Sequence, residues 1–272
     1  FRSPILLICL TIVYGLLAAF VWRFQRSGSD KPYPIKSELL ILGGALLAHG
    51  FVVWWPVLGG KLVILGFGYS ISLIVWLMLM LYFAGSFFYR LRGLQLLLYP
   101  IAALSMLAAI VFPGHYTGYL AANWPFVLHI ASSLLAYGLF GITALLAVLI
   151  LWLDRHLHQH RFSPMVSFLP PLLSLEKLMF QGMWAGFLLL TVSVASGTFF
   201  SEEIFGVAAR FSHKTVFGIL SWLIYAGLLF KRHQSGWRGK KVAVWSIVGF
   251  VSLMLAYVGS KFVLEVMLHK GG

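Results

Sequence analysis

The sequence predicts an all-α protein, a polytopic membrane helical bundle of about eight transmembrane helices that forms one domain over residues 1–272. Of its 272 residues, 61% are hydrophobic and 10% are charged, a composition that cannot supply the surface of an ordinary soluble protein. A transmembrane helix needs roughly 20 apolar residues to cross a bilayer core about 30 Å thick. Eight such segments fill the chain, so no separate soluble domain is predicted.

The predicted spans are separated by short connections that contain the charged and helix-breaking residues. The first span is too long to be the core of a signal peptide, and the fifth begins at Trp124 and Pro125, where proline suits the first turn of a helix. The fifth span is also longer than a bilayer requires, so its end is expected to project into water. The eight spans are approximately residues 4–22, 37–57, 62–89, 94–112, 124–154, 172–200, 215–230 and 242–268.

Lys and Arg are distributed unequally between the two sides of the predicted bundle. The first, third, fifth and seventh connections, with the span ends beside them, hold four, two, three and five of these residues, fourteen in all, whereas the other side holds six. Because cytoplasmic segments carry the excess, both termini are expected to lie outside. The net charge of +13 reflects this asymmetry and an attraction to anionic membrane lipid. No base-reading element accompanies it, so nucleic-acid binding is not predicted.

Several classes of chemistry lack the residues that they require. Cys9 is the only cysteine and lies within the first span, which excludes a disulfide framework and a thiolate metal site. Glu202 and Glu203 are the only adjacent acidic pair, and a hydrated external loop explains them better than a carboxylate catalyst does. The chain contains no Ser-His-Asp set, Walker loop or dinucleotide-binding glycine pattern. The sequence therefore predicts no enzyme.

Two of the nine histidines, His49 and His129, fall within predicted spans, where ionisable residues are rare and are functional candidates. Counting from the outer span ends at 1.5 Å per residue places them at depths of roughly 12 and 7 Å. Two neutral imidazoles at nearly one level could bind one haem iron from opposite faces, because histidine is a common axial ligand of haem. Alternatively, each histidine hydrogen-bonds a Ser, a Thr or a carbonyl oxygen on a neighbouring helix.

A histidine tract near the end of the fifth span is a weaker metal candidate. If this tract is helical, only His156 and His160 share a face, at the i, i+4 spacing of metal pairs, and His158 does not. No third ligand such as a nearby cysteine accompanies them. The preferred interpretation is a solvated, basic helix end.

Three segments of the second half form a recognisable pattern. The first, WPFVLHIASSLLAYG, begins at Trp124, and the second, PPLLSLEKLMF, begins at Pro170 and leads into the sixth span. The third is the GWRG turn of residues 236–239. Together they resemble the cytochrome c assembly membrane proteins of the CcsA, HemX and YpjD type, a family with an eight-helix body.

The external loop resembles the tryptophan-rich motif of CcsA-type haem transporters less closely. Aligned without a gap, the chain retains only Gly206, Lys214 and Trp222 of that motif, and the other tryptophan positions hold Phe or Ala. The Leu-His pair expected in the seventh span is Leu229-Phe230 here. The chain therefore resembles the HemX and YpjD branch, which lacks a full tryptophan-rich motif, more than the transporters.

The resemblance implies particular haem-binding residues. In this family the histidine that corresponds to His129 is an external haem ligand, and Tyr137, two turns further along, could face the same cavity. His269 follows Leu268 near the end of the chain, as a second external ligand does in CcsA-type proteins. Together with His49 from the depth argument, these residues make the predicted haem site, in which His129 is the main ligand of the iron.

Two functional hypotheses from different classes follow from these observations. The preferred one is a multi-pass protein of the bacterial inner membrane that binds or handles haem and assists cytochrome c assembly, with haem and an assembly protein or other membrane protein as partners. The alternative is a membrane scaffold or regulator of a partner protein that carries no haem. A small-molecule permease is not favoured, because neither an internal repeat nor a clear pair of broken spans is present.

Overall fold

The computed structural model describes residues 4–27, 32–59, 66–112, 124–159, 164–200, 213–259 and 262. Within these ranges the chain is almost entirely helical and contains no strand. Eight helices in the part of the chain that the structure describes are long and apolar enough to cross a membrane. The predicted polytopic all-α bundle is therefore confirmed.

Each long helix overlaps one predicted span, and residues 62–65 of the third span and residues 260, 261 and 263–268 of the eighth lie outside the described residues. The helices are α1 Pro4–Ser27, α2 Ile35–Gly59, α3 Phe67–Gly85, α4 Leu94–Val111, α5 Trp124–His158, α6 Pro164–Phe168, α7 Leu172–Phe199, α8 His213–Ser235 and α9 Lys240–Met254. α5 starts at Trp124, as predicted, but continues past residue 154, where basic side chains in its last turn suit the negative end of the helix dipole. The short helix α6 was not predicted and lies between the fifth and sixth spans. A π-helical turn, Leu255–Gly259, follows α9 directly.

Small residues allow the helices to approach each other closely. A Cβ atom at Gly68 of α3 would lie 2.4 Å from the carbonyl oxygen of Ala108 on α4, and one at Gly141 of α5 would lie 2.6 Å from Sδ of Met78 on α3. Such close approach is typical of helix packing in membranes, where dispersion contacts and interhelical hydrogen bonds hold the bundle together. These glycines therefore fix the distances of α3 to its two neighbours.

The long helix α5 occupies a central place in the bundle. It packs against α3, α7 and α9, whereas α1 packs mainly against α4 and α8 mainly against α9. Many of its side chains are buried, including Phe140, Ala147 and Ile150. A residue on α5 can therefore contact several other spans, which is the setting of His129.

Alternate connections of the chain meet at one end of the bundle, which we call the basic end because the predicted topology assigns most of the Lys and Arg residues to it. The ring centroid of Tyr33 lies 5.4 Å from that of Phe168 in α6. A Cβ atom at Gly93 would touch Leu169. The connections before α2, before α4 and before α7 are therefore neighbours at this end. The opposite end carries the start of α5 and the end of α7.

Candidate functional site

His129 lies in the second turn of α5 and faces α7. Its Nδ1 atom is 3.0 Å from the carbonyl oxygen of Ser193 and 3.2 Å from Oγ of Ser196. A carbonyl oxygen can only accept a hydrogen bond, so Nδ1 carries the hydrogen and donates it. In the neutral ring, Nε2 then carries the lone pair. Metal-bound histidines are commonly held in this way, with the second ring nitrogen donating to a backbone carbonyl.

Serine side chains surround the backbone of the same turn where α5 crosses α7. The hydroxyl of Ser133 donates to the carbonyl oxygen of His129 at 2.6 Å and lies 2.5 Å from the hydroxyl of Ser193. Ser132 also donates to the carbonyl of His129, at 3.1 Å. These small polar residues replace bulky side chains at the crossing, so the two helices and the imidazole are held together by hydrogen bonds.

Gly197 of α7 leaves space for the imidazole ring. A Cβ atom at this position would lie 2.8 Å from Cε1 of His129 and 3.2 Å from Nδ1. Contacts below 3.0 Å force a shift, so no larger residue fits unless the ring moves. The ring edge is therefore placed directly against the backbone of α7.

Aromatic side chains lie at the same end of the bundle as His129. Trp124, at the start of α5, is 65% exposed, and its ring centroid lies 5.4 Å from that of Phe200. Phe199 at the end of α7 is also exposed. Exposed aromatic residues at the end of a membrane-spanning bundle suit the membrane–water interface, and here they provide apolar surface beside the polar crossing.

His49 has a different environment from His129. It is completely buried on α2, with Nδ1 3.0 Å from the hydroxyl of Tyr14 on α1 and Nε2 2.9 Å from the hydroxyl of Ser72 on α3. Both ring nitrogens are thus hydrogen-bonded, and iron binding by His49 would require the loss of one of these bonds. The contacts of His49 are on α1 and α3, whereas those described for His129 are on α7. A shared iron therefore stays a prediction.

The chain matches the family model described as "Cytochrome C assembly protein" over residues 40–268. The chain belongs to the cytochrome c assembly protein family. This confirms the resemblance found in the sequence. The matched range includes His49, His129 and Tyr137, and it ends one residue before His269.

Curated relatives of this cytochrome c assembly family member include proteins of two of the three types named in the sequence analysis, YpjD and CcsA. Inner membrane protein YpjD of Escherichia coli (strain K12) is 28% identical over 273 residues, which cover 97% of this chain and 99% of YpjD. Cytochrome c biogenesis protein CcsA of Prochlorococcus marinus (strain SARG) is 27% identical over 289 residues, covering 94% of this chain and 90% of that CcsA. The CcsA of Prochlorococcus marinus (strain NATL1A) is 38% identical over 98 residues, which cover 36% of this chain and 31% of that CcsA. With its eight apolar helices, this chain is a multi-pass inner-membrane protein.

Tyr137 of this cytochrome c assembly protein connects two spans. Its hydroxyl is buried and donates to the carbonyl oxygen of Leu253 at 2.7 Å, near the end of α9 and just before the π-helical turn Leu255–Gly259. A side chain that bonds a helix carbonyl can stabilise an irregular turn. The described bond therefore joins α5 to α9, and the predicted haem contact of Tyr137 stays untested.

The remaining histidine candidates are either bonded within their own helix or fall outside the described residues. Nδ1 of His156 is 2.9 Å from the carbonyl of Trp152, and Nδ1 of His158 is 2.8 Å from that of Asp154. Within the described ranges, no group of three or more His, Cys, Asp or Glu residues could hold a metal ion. His160, His269 and the loop containing Glu202 and Glu203 are outside those ranges.

Two of the family-like segments contact each other through Glu176, which the sequence analysis did not single out. Oε1 of Glu176, in the PPLLSLEKLMF segment, accepts a hydrogen bond from the backbone N–H of Gly239 at 2.7 Å. Gly239 precedes α9, so this carboxylate caps the helix from a distant part of the chain. Positive φ angles of 61° at Gly236 and 63° at Gly239 explain why glycine occupies both ends of the GWRG turn.

Proposed function

We propose that this family member binds haem and assists cytochrome c assembly as a non-enzymatic membrane protein, with His129 as the axial ligand. The hydrogen bond from Nδ1 of His129 to the carbonyl oxygen of Ser193 is the observation that carries this proposal. It orients the neutral ring so that Nε2 is the nitrogen able to donate a lone pair to iron. Membership of a family described by its role in cytochrome c assembly supports the same function.

The surroundings of His129 fit a planar apolar ligand. Bound haem would supply an iron atom that accepts a nitrogen ligand. Ser193 and Ser196 hold the imidazole, and the lack of a side chain at Gly197 lets the ring lie against the backbone of α7. The exposed ring of Trp124 offers apolar surface at the same end. In this proposal, hydrogen bonding by His49 supports the bundle, and His269 remains a second ligand predicted from the resemblance.

Absorbance of the purified protein from haem-replete cells tests the proposal. The wild type should show a Soret band at near-stoichiometric level, and His129→Ala should abolish or shift this band while the helix content measured by circular dichroism is retained. His156→Ala is the matched control, because His156 lies on the same helix with its Nδ1 bonded to Trp152, and it should leave the band unchanged. An unchanged spectrum and haem content in His129→Ala would refute the ligand assignment.

The alternative is a scaffold or regulator without haem, and the environment of Trp222 favours it. Trp222 is one of the few residues retained from the tryptophan-rich motif, yet its Nε1 donates to Oγ1 of Thr191 at 2.9 Å and its ring lies 5.5 Å from that of Phe187. Both partners are on α7, so this indole packs between helices. A colourless wild-type protein from haem-replete cells would favour this alternative.

A further inference from the structure

A group of basic side chains surrounds the GWRG turn between α8 and α9. We call it the cationic cluster, and it consists of Lys231, Arg232, Arg238, Lys240 and Lys241. The turn lies at the basic end of the bundle, because Gly239 is hydrogen-bonded to Glu176 near the start of α7. Residues 231–241 contain no acidic side chain. The cluster therefore concentrates positive charge where two spans meet.

Arg232 gives the turn a fixed shape. Its backbone carbonyl oxygen accepts from the N–H of Gly236 at 3.2 Å, and its Nη1 atom donates to the carbonyl oxygen of Trp237 at 3.2 Å. Its guanidinium carbon also lies 4.4 Å from the ring centroid of Phe180 on α7. Arg232 therefore ties the end of α8 both to the turn and to α7, so the charges around the turn have defined positions.

Most of the charge in the cationic cluster is not balanced by carboxylates of the described residues. Glu176 accepts a hydrogen bond from the N–H of Gly239 at 2.7 Å and lies 3.9 Å from Nε of Arg238. No other ion pair within the described ranges involves the cluster. The three lysines, Lys231, Lys240 and Lys241, are all exposed. Their charge is therefore available to an anionic ligand.

Exposed apolar side chains continue from this charge along one face of α9. They follow Lys241 at the three- and four-residue spacing of a helix face and are between 41% and 50% exposed, and they are Val244, Trp245, Val248 and Val251. Phe230, next to Lys231 at the end of α8, is exposed as well. Nζ of Lys241 lies 5.8 Å from the ring centroid of the half-buried Trp237. The surface is thus cationic at the start of α9 and apolar further along the span.

An amphiphile with an anionic head and an apolar tail matches both parts of this surface. Lysine and arginine side chains bind phosphate by charge and by hydrogen bonds. Tryptophan rings at the end of a span suit the level of the lipid headgroups, so Trp237 places Lys241 at that level. The exposed valines of α9 lie within the span, where acyl chains are the surrounding medium. A soluble acidic protein would match the charge of the cluster but could not reach these valines.

We propose that the cationic cluster and the adjoining face of α9 form a binding site for one anionic phospholipid. Lys240 and Lys241 hold the phosphate, and an acyl chain lies along Val244, Val248 and Val251. The bound head reduces the repulsion between these two lysines and Lys231 at the end of α8, so the lipid stabilises the junction of the two spans. The site is distinct from that of His129, which lies at the opposite end of the bundle.

Native mass spectrometry of the purified protein in a neutral detergent tests this proposal. The probes are phosphatidylglycerol and phosphatidylcholine with the same acyl chains. The wild type should retain one phosphatidylglycerol in preference to phosphatidylcholine. Lys240→Gln combined with Lys241→Gln should weaken this binding by roughly thirtyfold, since each basic side chain beside anionic lipid contributes about fivefold.

Lys36→Gln combined with Arg90→Gln is the matched control. It removes the same charge from exposed residues at the same end of the bundle, outside the cationic cluster, and should bind phosphatidylglycerol as the wild type does. Circular dichroism of both double variants checks that the helices are retained. Glycerol phosphate, which has the charge of the head without the chains, should not displace the lipid, because the apolar face of α9 also contributes to binding.

Three results would overturn the proposal. The first, equal retention of the two lipids by the wild type, requires no variant. The second is an equal loss of binding in the two double variants, which would show that the charge of the whole end of the bundle attracts lipid without a local site. The third is binding of a polyglutamate peptide without any preference for phosphatidylglycerol, which would assign the cluster to an acidic protein. Haem absorbance should be the same in the wild type and in both double variants, so the lipid result and the haem result can be separated.

Discussion

Gly197→Ala tests whether the imidazole of His129 lies against the backbone of α7. The added methyl group would be 2.8 Å from Cε1 of His129, whereas ordinary van der Waals contacts begin at 3.4 Å. The ring must therefore move by about 0.6 Å, and overpacking of this kind typically costs about 1–3 kcal/mol. The shift also disturbs the bonds of Nδ1 to Ser193 and Ser196, so haem absorbance should change together with stability.

Gly218→Ala in α8 is the matched control, because a Cβ atom at Gly218 would meet nothing within 4 Å. Both variants gain the preference of alanine for helical structure, worth roughly 0.5–1 kcal/mol. The difference between them in the free energy of unfolding, measured in detergent, therefore isolates the clash with His129. Equal stability of Gly197→Ala and Gly218→Ala would refute the described position of the ring.

The other predictions concern the buried histidine, the helix cap and the topology. His49→Leu should lower the free energy of unfolding by about 1–3 kcal/mol, because its two hydroxyl partners lose their bonds; wild-type stability would contradict the described network. Glu176→Ala should lower the free energy of unfolding by about 0.5–2 kcal/mol through loss of the α9 cap. Arg238→Ala should have a smaller effect, since Arg238 is 57% exposed and 3.9 Å from the carboxylate. Reporters fused at Gly236 and Glu203 should be cytoplasmic and external, respectively, and the reverse pattern would overturn the topology.

Apolar length was sufficient to predict the eight spans, because a bilayer imposes a minimum length on every crossing. The first turn of α5 at Trp124 was also predictable, since Pro125 suits the start of a helix. Helix ends outside the apolar core were not predictable, because the polar residues before His158 continue the helix beyond the apolar pattern that marks the span. The short helix Pro164–Phe168 escaped prediction because five residues are too few to show a helical pattern.

The sequence indicated His129 as the central residue of the candidate site, but it did not indicate which residues contact it. His129 could be selected because it is ionisable and lies within a span. Its bond to Ser193 joins residues 64 positions apart, and no local pattern specifies which face of α7 meets α5. The sequence left hydrogen bonding as an alternative for both histidines, and both have such bonds in the structure.

Two buried carboxylates were missed although a signal for them was available. The argument that ionisable groups in spans are functional candidates was applied to histidines, whereas Glu38 and Glu176 lie near predicted span ends, where a charge is expected to reach water. Their burial depends on contacts with distant residues, namely tyrosines of other helices for Glu38 and Gly239 for Glu176. Span prediction alone cannot distinguish a carboxylate at the surface from one enclosed between helices.

The three segments that resemble the family meet on α7. Near its first turn, Glu176 holds the GWRG turn through Gly239, and near its last turns, Ser193 and Gly197 hold His129 of the WPFVLHIASSLLAYG segment. The resemblance therefore describes one physical arrangement, in which α7 sets the position of a candidate ligand at one end of the bundle and the start of α9 at the other. His49 and Glu38 instead belong to two hydrogen-bonded groups among α1 to α4, in which His49 bonds to Tyr14 and Ser72 and Glu38 bonds to Tyr82 and Tyr99.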